Sequence, residues 1–163
     1  MKIKDFIAEY KTASDDHKAH AINKHIVKKY VPYIEKVASC QMIVENSMYI
    51  KDEYGKVFQP NTPLRFQMFV GELIRHYTDI DIESGQDRIE IFDAFEENGI
   101  TELFMQCLGS EAVKFQTVLQ MCCDDVTFAE TDLVKWVNGK ITAAGLGLNA
   151  LLEAVGSLEN GEE

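Results

Sequence analysis

The stretch TPLRFQMFVGELIRHYTDI, Thr62 to Ile80, decides the fold of this chain. Its large apolar residues recur at the i, i+3, i+4, i+7, i+8 and i+11 spacing that lines one face of an α-helix: Phe66, Phe69, Val70, Leu73, Ile74 and Tyr77. Small or apolar neighbours widen that face, so helix 62–78 should be central and contact other helices on at least two sides. Thr62 is expected to cap its start, and Pro63 suits the first turn because it has no N–H to leave unsatisfied.

Length and composition favour one helical domain. The chain has 163 residues, of which 46% are apolar, enough to bury a self-sufficient core. We expect an all-α, single-domain bundle of about seven helices over residues 1–158, followed by a polar tail at 159–163. The sequence has no uninterrupted apolar run of about 18 residues, the length that indicates a membrane span, and the charged start MKIKDFIAEY is unlike a signal peptide. A cytosolic protein is therefore predicted.

The formal net charge of -11 is unevenly distributed. Residues 1–40 contain eight lysines and five acidic residues, a net charge of +3, whereas the remaining 8 basic and 22 acidic residues give -14. A strongly acidic surface repels the phosphates of nucleic acids. Direct nucleic-acid binding by the body of the protein is therefore not expected.

Two helices are predicted before Pro32. The first, at residues 2–12, should cap the core with Ile3, Phe6, Ile7 and Tyr10. Ser14 can cap the second, which should run from about Asp15 to Tyr30. Its inward residues are expected to be Ala19, Ile22, Ile26 and Tyr30. On its other side, basic residues at helical spacing form a cationic stripe: His17, His20, Lys24 and Lys28.

The cationic stripe has two interpretations. It is either a solvated face that pairs with nearby acids, or a docking surface for an acidic partner or a nucleic-acid backbone. Only Tyr30 and Tyr33 lie near it to stack on bases, and no nucleic-acid module signature accompanies them. His17 and His20 share a helix face but have no third soft ligand at helical spacing, so we predict no metal site.

A third helix and a hairpin are predicted next. The helix should run from about Tyr33 to Met48, and its core-facing residues should be Val37, Cys40 and Val44. In YIKDEYGKVFQPN, residues 49–61, a charged turn ending at Gly55 separates two short apolar stretches. The segment is either an ordered loop or a small β-hairpin at 49–59, and we favour the hairpin. If the hairpin projects from the helices, Tyr54 and Phe58 are candidate partner-binding residues.

The segment DIDIESGQDRIE, Asp79 to Glu90, has acids at positions one, three, five, nine and twelve, as in an EF-hand calcium loop. However, Ser84 occupies position six, where that loop requires glycine, and Gln86 replaces the apolar residue at position eight. A second copy of the loop is also absent. We therefore predict a plain loop in which Ser84 caps the next helix.

Three further helices are predicted at 86–98, at 100–108 and from Ser110 through Val126. Asn98 with Gly99 closes the first of them, and Gly109 closes the second. The inward residues are expected to be Ile89, Phe92 and Phe95, then Ile100, Leu103, Phe104, Cys107 and Leu108, then Ala112, Phe115, Leu119, Cys122 and Val126. The four cysteines lack CxxC spacing and are interpreted as reduced thiols.

The C-terminal stretch has two interpretations. Gly145, Gly147 and Ala150 follow the order of a dinucleotide-binding turn, but the 13 residues after Ala150 cannot complete such a unit. We instead predict a long helix from about 131 to 158 with one apolar stripe. Its glycines weaken a helix, so tertiary or subunit contacts should stabilise it.

The sequence contains no nucleophile elbow, phosphate-binding loop, H-E-x-x-H or kinase signature. His76, near Asp79 and Asp81, is the best single candidate for acid and base chemistry, although the helix dipole alone favours a histidine in the last turn. No group of residues combines nucleophile, base and oxyanion donor. We therefore predict a protein that is not an enzyme and that has no metal or cofactor.

Three segments, KHIVKKYVPYIEKV (24–37), HYTDIDI (76–82) and FQTVLQMCCDD (115–125), resemble a set of small acidic helical proteins encoded by phages and prophages of Gram-positive bacteria. The resemblance covers most of the chain and carries over no functional residues. It implies a viral context, in which such proteins serve as virion components, assembly factors or inhibitors of host systems. It also implies a location in the cytoplasm of the bacterial host or in the virion.

Two functional hypotheses follow. In the first, the protein is a virion structural or assembly component that binds other copies of itself or phage structural proteins, because its basic N-terminal faces could meet acidic faces of another copy. In the alternative, it inhibits a host defence or nucleic-acid enzyme, with clustered acids that imitate DNA phosphates.

Overall fold

The computed structural model describes residues 1–53, 55–82 and 88–132, together with residues 137, 141, 142 and 145. Seven helices and two strands lie within these residues. In chain order they are α1 (Ile3–Thr12), α2 (Asp15–Asn23), α3 (Tyr33–Ser47), β1 (Tyr49–Asp52), β2 (Gly55–Phe58), α4 (Thr62–Tyr77), α5 (Arg88–Glu97), α6 (Ile100–Leu108) and α7 (Ser110–Thr131). The all-α prediction with a small hairpin is therefore confirmed.

The chain divides into two units, Met1–Asp124 and Asp125–Glu163, and the packing described below is that of the first. The predicted single domain over 1–158 stays a prediction. The polar tail at 159–163, almost all of the predicted helix 131–158 and the Ser84 cap lie outside the described residues. Within the described part of the chain, no helix combines the length and the apolar character that crossing a membrane requires.

Helix α4 is central, as its apolar periodicity predicts. Phe69, Leu73 and Tyr77 are buried, and α3 packs along α4. The Phe69 ring centroid lies 5.9 Å from that of Phe115 in α7, and the Phe66 ring centroid lies 5.7 Å from a ring of α5. Helix α4 therefore contacts three other helices, and the prediction of contacts on at least two sides is confirmed.

Two details of α4 differ from the prediction. The side-chain oxygen of Asn61, rather than of Thr62, accepts a hydrogen bond from the backbone N–H of Leu64 at 3.0 Å, so Asn61 is the cap. Phe66 is 41% exposed, because it lies at the edge of the apolar face. At that edge, the ring of Phe92 packs edge-on against it.

Helix α1 caps the core as predicted, with Ile3, Phe6 and Tyr10 buried and Ile7 half-buried. Its start is tied to the segment after α4. The backbone N–H of Ile3 donates to the carbonyl of Asp81 at 3.1 Å, and the Asp81 N–H donates to the carbonyl of Met1 at 2.7 Å. The N-terminus and residues 79–81 therefore hold each other in place.

Helix α2 ends at Asn23, so the predicted extension to Tyr30 is wrong. Beyond the helix, Ile26 forms an isolated antiparallel bridge with Thr78, and this long-range pairing competes successfully with continued helix. Of the four predicted inward residues, only Ile22 is fully buried. Ala19 and Ile26 are half-buried, and Tyr30 is exposed.

Helix α3 and the hairpin follow the prediction closely. Cys40 and Val44 are buried and Val37 is half-buried. The strands pair antiparallel, with Tyr49 opposite Phe58, and Gly55 provides the positive φ of 126° that the turn requires. The segment that follows the hairpin is bonded to the end of α3. The N–H groups of residues 59 and 61 donate hydrogen bonds to the carbonyls of residues 48 and 47, respectively.

The later helices also form as predicted, but α5 is rotated. Phe95 is buried and Phe92 half-buried, as predicted, but Ile89 is exposed and Ile91 is buried in its place, because the inward face of α5 is the one that meets α1 and α6. Gly99 and Gly109 adopt positive φ values of 63° and 55°, which separate α5, α6 and α7.

Helix α7 buries Ala112, Phe115 and Leu119, as its periodicity predicts. The burial of the two adjacent cysteines is the reverse of the prediction, since Cys123 is buried and Cys122 is half-buried. Arg65 Nη1 lies 3.6 Å from the Cys123 sulfur, so the guanidinium of Arg65 shields this thiol. No disulfide bond joins any two of the four cysteines, all of which lie in the described part of the chain, and their reduced state stays a prediction.

Candidate protein-contact surface

The segment between α2 and α3 is fixed to the end of α4 by backbone hydrogen bonds. The N–H groups of Val27 and Lys28 donate to the carbonyl of Tyr77 at 2.9 and 3.2 Å, and the Asp79 N–H donates to the carbonyl of His25 at 3.2 Å. These bonds cross about 50 residues of sequence. An irregular segment therefore has a defined conformation on the surface of the bundle.

His25 anchors the same segment from beneath. It is buried, its Nδ1 lies 2.9 Å from a carboxylate oxygen of Asp79, and its ring packs edge-on against Phe6 at 5.6 Å between centroids. Its Nε2 lies 3.6 Å from a carboxylate oxygen of Glu9. No local sequence pattern indicates a role for His25, because its partners are distant in the chain.

Four apolar side chains point outward from this anchored segment and from the start of α3. Val27, Tyr30, Tyr33 and Ile34 are each at least 60% exposed, whereas Val31 between them is completely buried. We refer to residues 27–34 as the 27–34 surface. Large apolar groups concentrated in so short a stretch of surface are typical of a protein contact site.

Two lysines, Lys28 and Lys29, lie within the 27–34 surface and are exposed. In the described part of the chain, neither has an ion-pair partner. The surface thus combines apolar and aromatic groups with two positive charges, in a protein whose net charge is strongly negative. Such a surface is complementary to an acidic partner.

A buried ion pair supports the 27–34 surface from the core side. The Lys36 Nζ lies 2.6 Å from a carboxylate oxygen of Glu111, and the Tyr77 hydroxyl donates to the same oxygen at 3.0 Å. Lys36 and Glu111 are both buried. The Lys36 ammonium also lies 5.2 Å from the ring centroid of Tyr30, within the range of a cation–π contact. Tyr30 is therefore held over a fixed positive charge.

This network changes the acid–base behaviour of Glu111. Burial raises the pKa of Glu111, but hydrogen bonds from Lys36, Lys114 and Tyr77 outweigh burial and lower the pKa to about 2. Burial and the hydrogen bond to Glu111 raise the pKa of Tyr77. At neutral pH, Glu111 is therefore a carboxylate and Tyr77 remains a hydrogen-bond donor.

The lowered pKa predicts acid sensitivity. Because the folded pKa of Glu111 lies below the unfolded value of 4.5, its stabilisation is complete above pH 4.5 and is lost as pH falls toward 2. The shift corresponds to about 3 kcal/mol. Denaturant unfolding at a series of pH values should show this loss, and Glu111→Gln should show a shallower pH dependence over the same range. Equal slopes for the two proteins would contradict the assignment.

The predicted cationic stripe does not lie on one helix. His17 and His20 are exposed on α2, but α2 ends before Lys24 and Lys28. Lys24 pairs with Glu9 at 2.7 Å, and Lys28 belongs to the 27–34 surface. The stripe is divided because α2 ends at Asn23, after which His25 is buried and Ile26 pairs with Thr78. A partner-binding role for these four residues stays a prediction.

The hairpin residues have different outcomes. Tyr54 lies outside the described residues. Phe58 is half-buried, and its ring packs edge-on against Tyr49 at 5.8 Å between centroids. Lys56 lies over the Tyr49 ring at 4.1 Å and pairs with Glu45. Phe58 therefore stabilises the hairpin, and a role in partner binding stays a prediction.

His76 lies in a polar cluster between α3 and α4. Its Nε2 is 2.8 Å from the Ser39 hydroxyl and 2.9 Å from Arg75 Nη2. Burial and the positive charge of Arg75 lower the pKa of His76, so its ring is neutral at pH 7. Since a guanidinium only donates hydrogen bonds, Nε2 is the acceptor and the ring proton is on Nδ1.

The acids around His76 are not the ones expected from sequence. Glu72 lies 3.5 Å from Nε2 and Glu35 lies 3.9 Å from Nδ1, whereas Asp79 pairs with His25. Ser39 is buried, so the serine and histidine satisfy each other inside the helix interface. The prediction that this protein is not an enzyme stays a prediction.

No cluster of three or more histidine, cysteine or acidic side chains that could hold a metal ion is found among the described residues. The best-defined candidate site is the 27–34 surface. Of its residues, only Lys28, Tyr30 and Tyr33 were associated with a docking surface by the sequence pattern. Comparison of the chain with protein-family models, with curated proteins and with solved structures finds no match in any of the three.

Proposed function

We propose that the protein is a non-enzymatic binding protein that acts through the 27–34 surface, as a virion structural or assembly component of a phage. The observation that carries the proposal is the exposure of Val27, Tyr30, Tyr33 and Ile34 within eight residues. Tyrosine is enriched at protein interfaces, where its large ring buries area and its hydroxyl finds a polar partner. Large apolar side chains exposed this close together in the sequence are typical of a surface that a partner covers.

The rigidity of the 27–34 surface supports a binding role. Backbone bonds to Tyr77 fix the segment, and the Lys36–Glu111 pair fixes the helix that presents Tyr33. Groups that are already ordered lose little conformational entropy when a partner binds. More of the contact energy therefore remains as affinity.

The charge of the surface favours an acidic partner. Lys28 and Lys29 project from a protein of net charge -11, so an acidic protein surface would be attracted locally even though the whole molecules repel. Attraction between exposed charges is screened over a Debye length of about 10 Å at roughly 0.1 M salt. Binding through this surface should therefore weaken as salt is added.

The alternative, inhibition of a host defence or nucleic-acid enzyme, would use the acidic surface of the molecule. It requires a basic partner that contacts clustered carboxylates. The two proposals therefore predict opposite charge on the partner and different contact residues on this chain.

Substitution of the 27–34 surface tests the proposal. Tyr33→Ser combined with Ile34→Ser should weaken the association of the protein with phage particles or assembly intermediates from infected cells roughly 30-fold, as measured by co-sedimentation, because each of the two exposed anchors contributes on the order of 1 kcal/mol. Met121→Ser is the matched control, since Met121 is also an exposed apolar residue of a helix. It should leave co-sedimentation unchanged.

Two outcomes would contradict the proposal. One is a wild-type protein that joins no particle or intermediate. The other is a double variant that co-sediments as well as wild type while its thermal unfolding is unchanged. Retention of a basic host enzyme by both proteins would favour the inhibitor alternative.

A further inference from the structure

An exposed concavity lies on the described part of the chain, away from the 27–34 surface. It has a volume of about 560 Å³, and the N-terminal half of α4, the end of α5, α6 and the start of α7 form its walls. Its apolar lining includes Phe66, Met105 and Val113, and Glu96 and Glu102 add two carboxylates. We refer to these five residues as the acidic depression.

The acidic depression has the composition of a binding site for an aromatic side chain that is flanked by positive charges. Phe66 and Val113 are exposed large apolar residues. Glu96 and Glu102 are both exposed, and Glu102 accepts a hydrogen bond from a side-chain amide of its own helix at 3.2 Å. A ring entering the depression would therefore contact apolar side chains while its flanking cations meet carboxylates.

The 27–34 surface and the acidic depression are at different places on the molecule. The first is bonded to Tyr77 at the end of α4, and the second includes Phe66, eleven residues earlier on the same helix. Eleven helical residues span about 16 Å. The two surfaces therefore lie near opposite ends of α4 and share no residue.

We infer that the 27–34 surface of one copy of this chain docks into the acidic depression of a second copy. Tyr33 enters the apolar part, and Lys28 and Lys29 pair with Glu96 and Glu102. This inference rests on the proposed function, because it identifies the partner of the same surface. Charge complementarity carries it, since two lysines without an ion-pair partner among the described residues lie beside exposed aromatic rings and match two carboxylates beside exposed apolar groups.

Contact between two different surfaces has a structural consequence. Such a contact is heterologous, so each added copy leaves one free surface at each end and the assembly closes into a ring or continues as a filament. An isologous dimer would instead stop at two copies. Head-to-tail growth is the behaviour expected of an assembly component.

Paired charge reversal tests the inference. One variant carries Lys28→Glu and Lys29→Glu, and the other carries Glu96→Lys and Glu102→Lys. Sedimentation velocity of wild type should show a mass that increases with concentration and decreases as salt is raised. Each variant alone should associate at least about tenfold more weakly, because like charges then face each other. An equimolar mixture of the two should regain association, because both contacts are again of opposite charge.

The matched control separates local pairing from total charge. Lys4→Glu combined with Lys51→Glu changes the net charge by the same amount as the lysine variant, at exposed positions outside both surfaces, and should associate like wild type. Wild type that stays monomeric, single variants that associate normally, or a mixture that fails to recover would each overturn the inference. If wild type is monomeric but the Tyr33 and Ile34 substitutions still abolish co-sedimentation with particles, the proposed function holds and only the second-copy partner is wrong.

Discussion

Lys36→Met should lower the free energy of unfolding by about 3–5 kcal/mol, the usual cost of breaking a buried ion pair by removing one partner. The substitution leaves the Glu111 carboxylate buried without its closest donor, which lies 2.6 Å away in the native protein. Tyr77 alone would remain as a buried donor to that carboxylate. Urea unfolding followed by circular dichroism measures the change, and the start of α3 should lose amide protection with it.

Lys114→Met is the matched control, because Lys114 pairs with the same carboxylate at 2.9 Å but is itself largely exposed. Removing an exposed partner should cost no more than about 1 kcal/mol. The double variant Lys36→Met, Glu111→Leu should recover part of the loss, since an apolar pair leaves no buried charge. Equal losses for Lys36→Met and Lys114→Met would show that burial of the pair is not what stabilises this region.

Phe115→Ala should destabilise the fold by a similar amount, about 3–5 kcal/mol, because it removes a completely buried ring and leaves a cavity. Phe115 is 0% exposed. Its ring centroid lies 5.9 Å from those of both Phe69 and His76, so it joins α7 to α4. The midpoint of urea unfolding should therefore fall markedly.

Phe128→Ala provides the comparison within the same helix. Phe128 is 76% exposed, so the same chemical change should alter stability by no more than about 0.5 kcal/mol. A small effect at Phe115, or an equal effect at the two positions, would contradict the core assignment of α7.

Local periodicity predicted most of the helices, because the burial of α4, α3 and α7 follows from apolar spacing within each segment. It failed where the arrangement of neighbours decides the outcome. Ile89 belongs to an apolar pattern, yet it is exposed because Ile91 faces the neighbouring helices. Phe66 fits its helix face but lies at the edge of that face, where among the described residues a single ring, that of Phe92, packs against it. Spacing within one helix cannot indicate which edge of its apolar face remains uncovered.

The candidate site was only partly predictable for the same reason. Helix α2 ends because Ile26 pairs with Thr78 and His25 pairs with Asp79, contacts between residues more than 50 positions apart. The helical period placed Tyr30 inside, whereas the actual end of α2 leaves it exposed. Lysine in an apolar helix gave no indication that Lys36 would be buried against Glu111, 75 residues later.

Site-specific photo-cross-linking tests the central claim most directly, which is that the 27–34 surface is where this protein contacts its partner. A photoreactive phenylalanine analogue at Tyr33 should cross-link to a second protein chain during assembly, and the same analogue at Met121 should not. Both positions are exposed in the free chain, so access of the probe is matched. Efficient cross-linking from position 33 alone is the result we predict; equal cross-linking from both positions, or from position 121 alone, would contradict it.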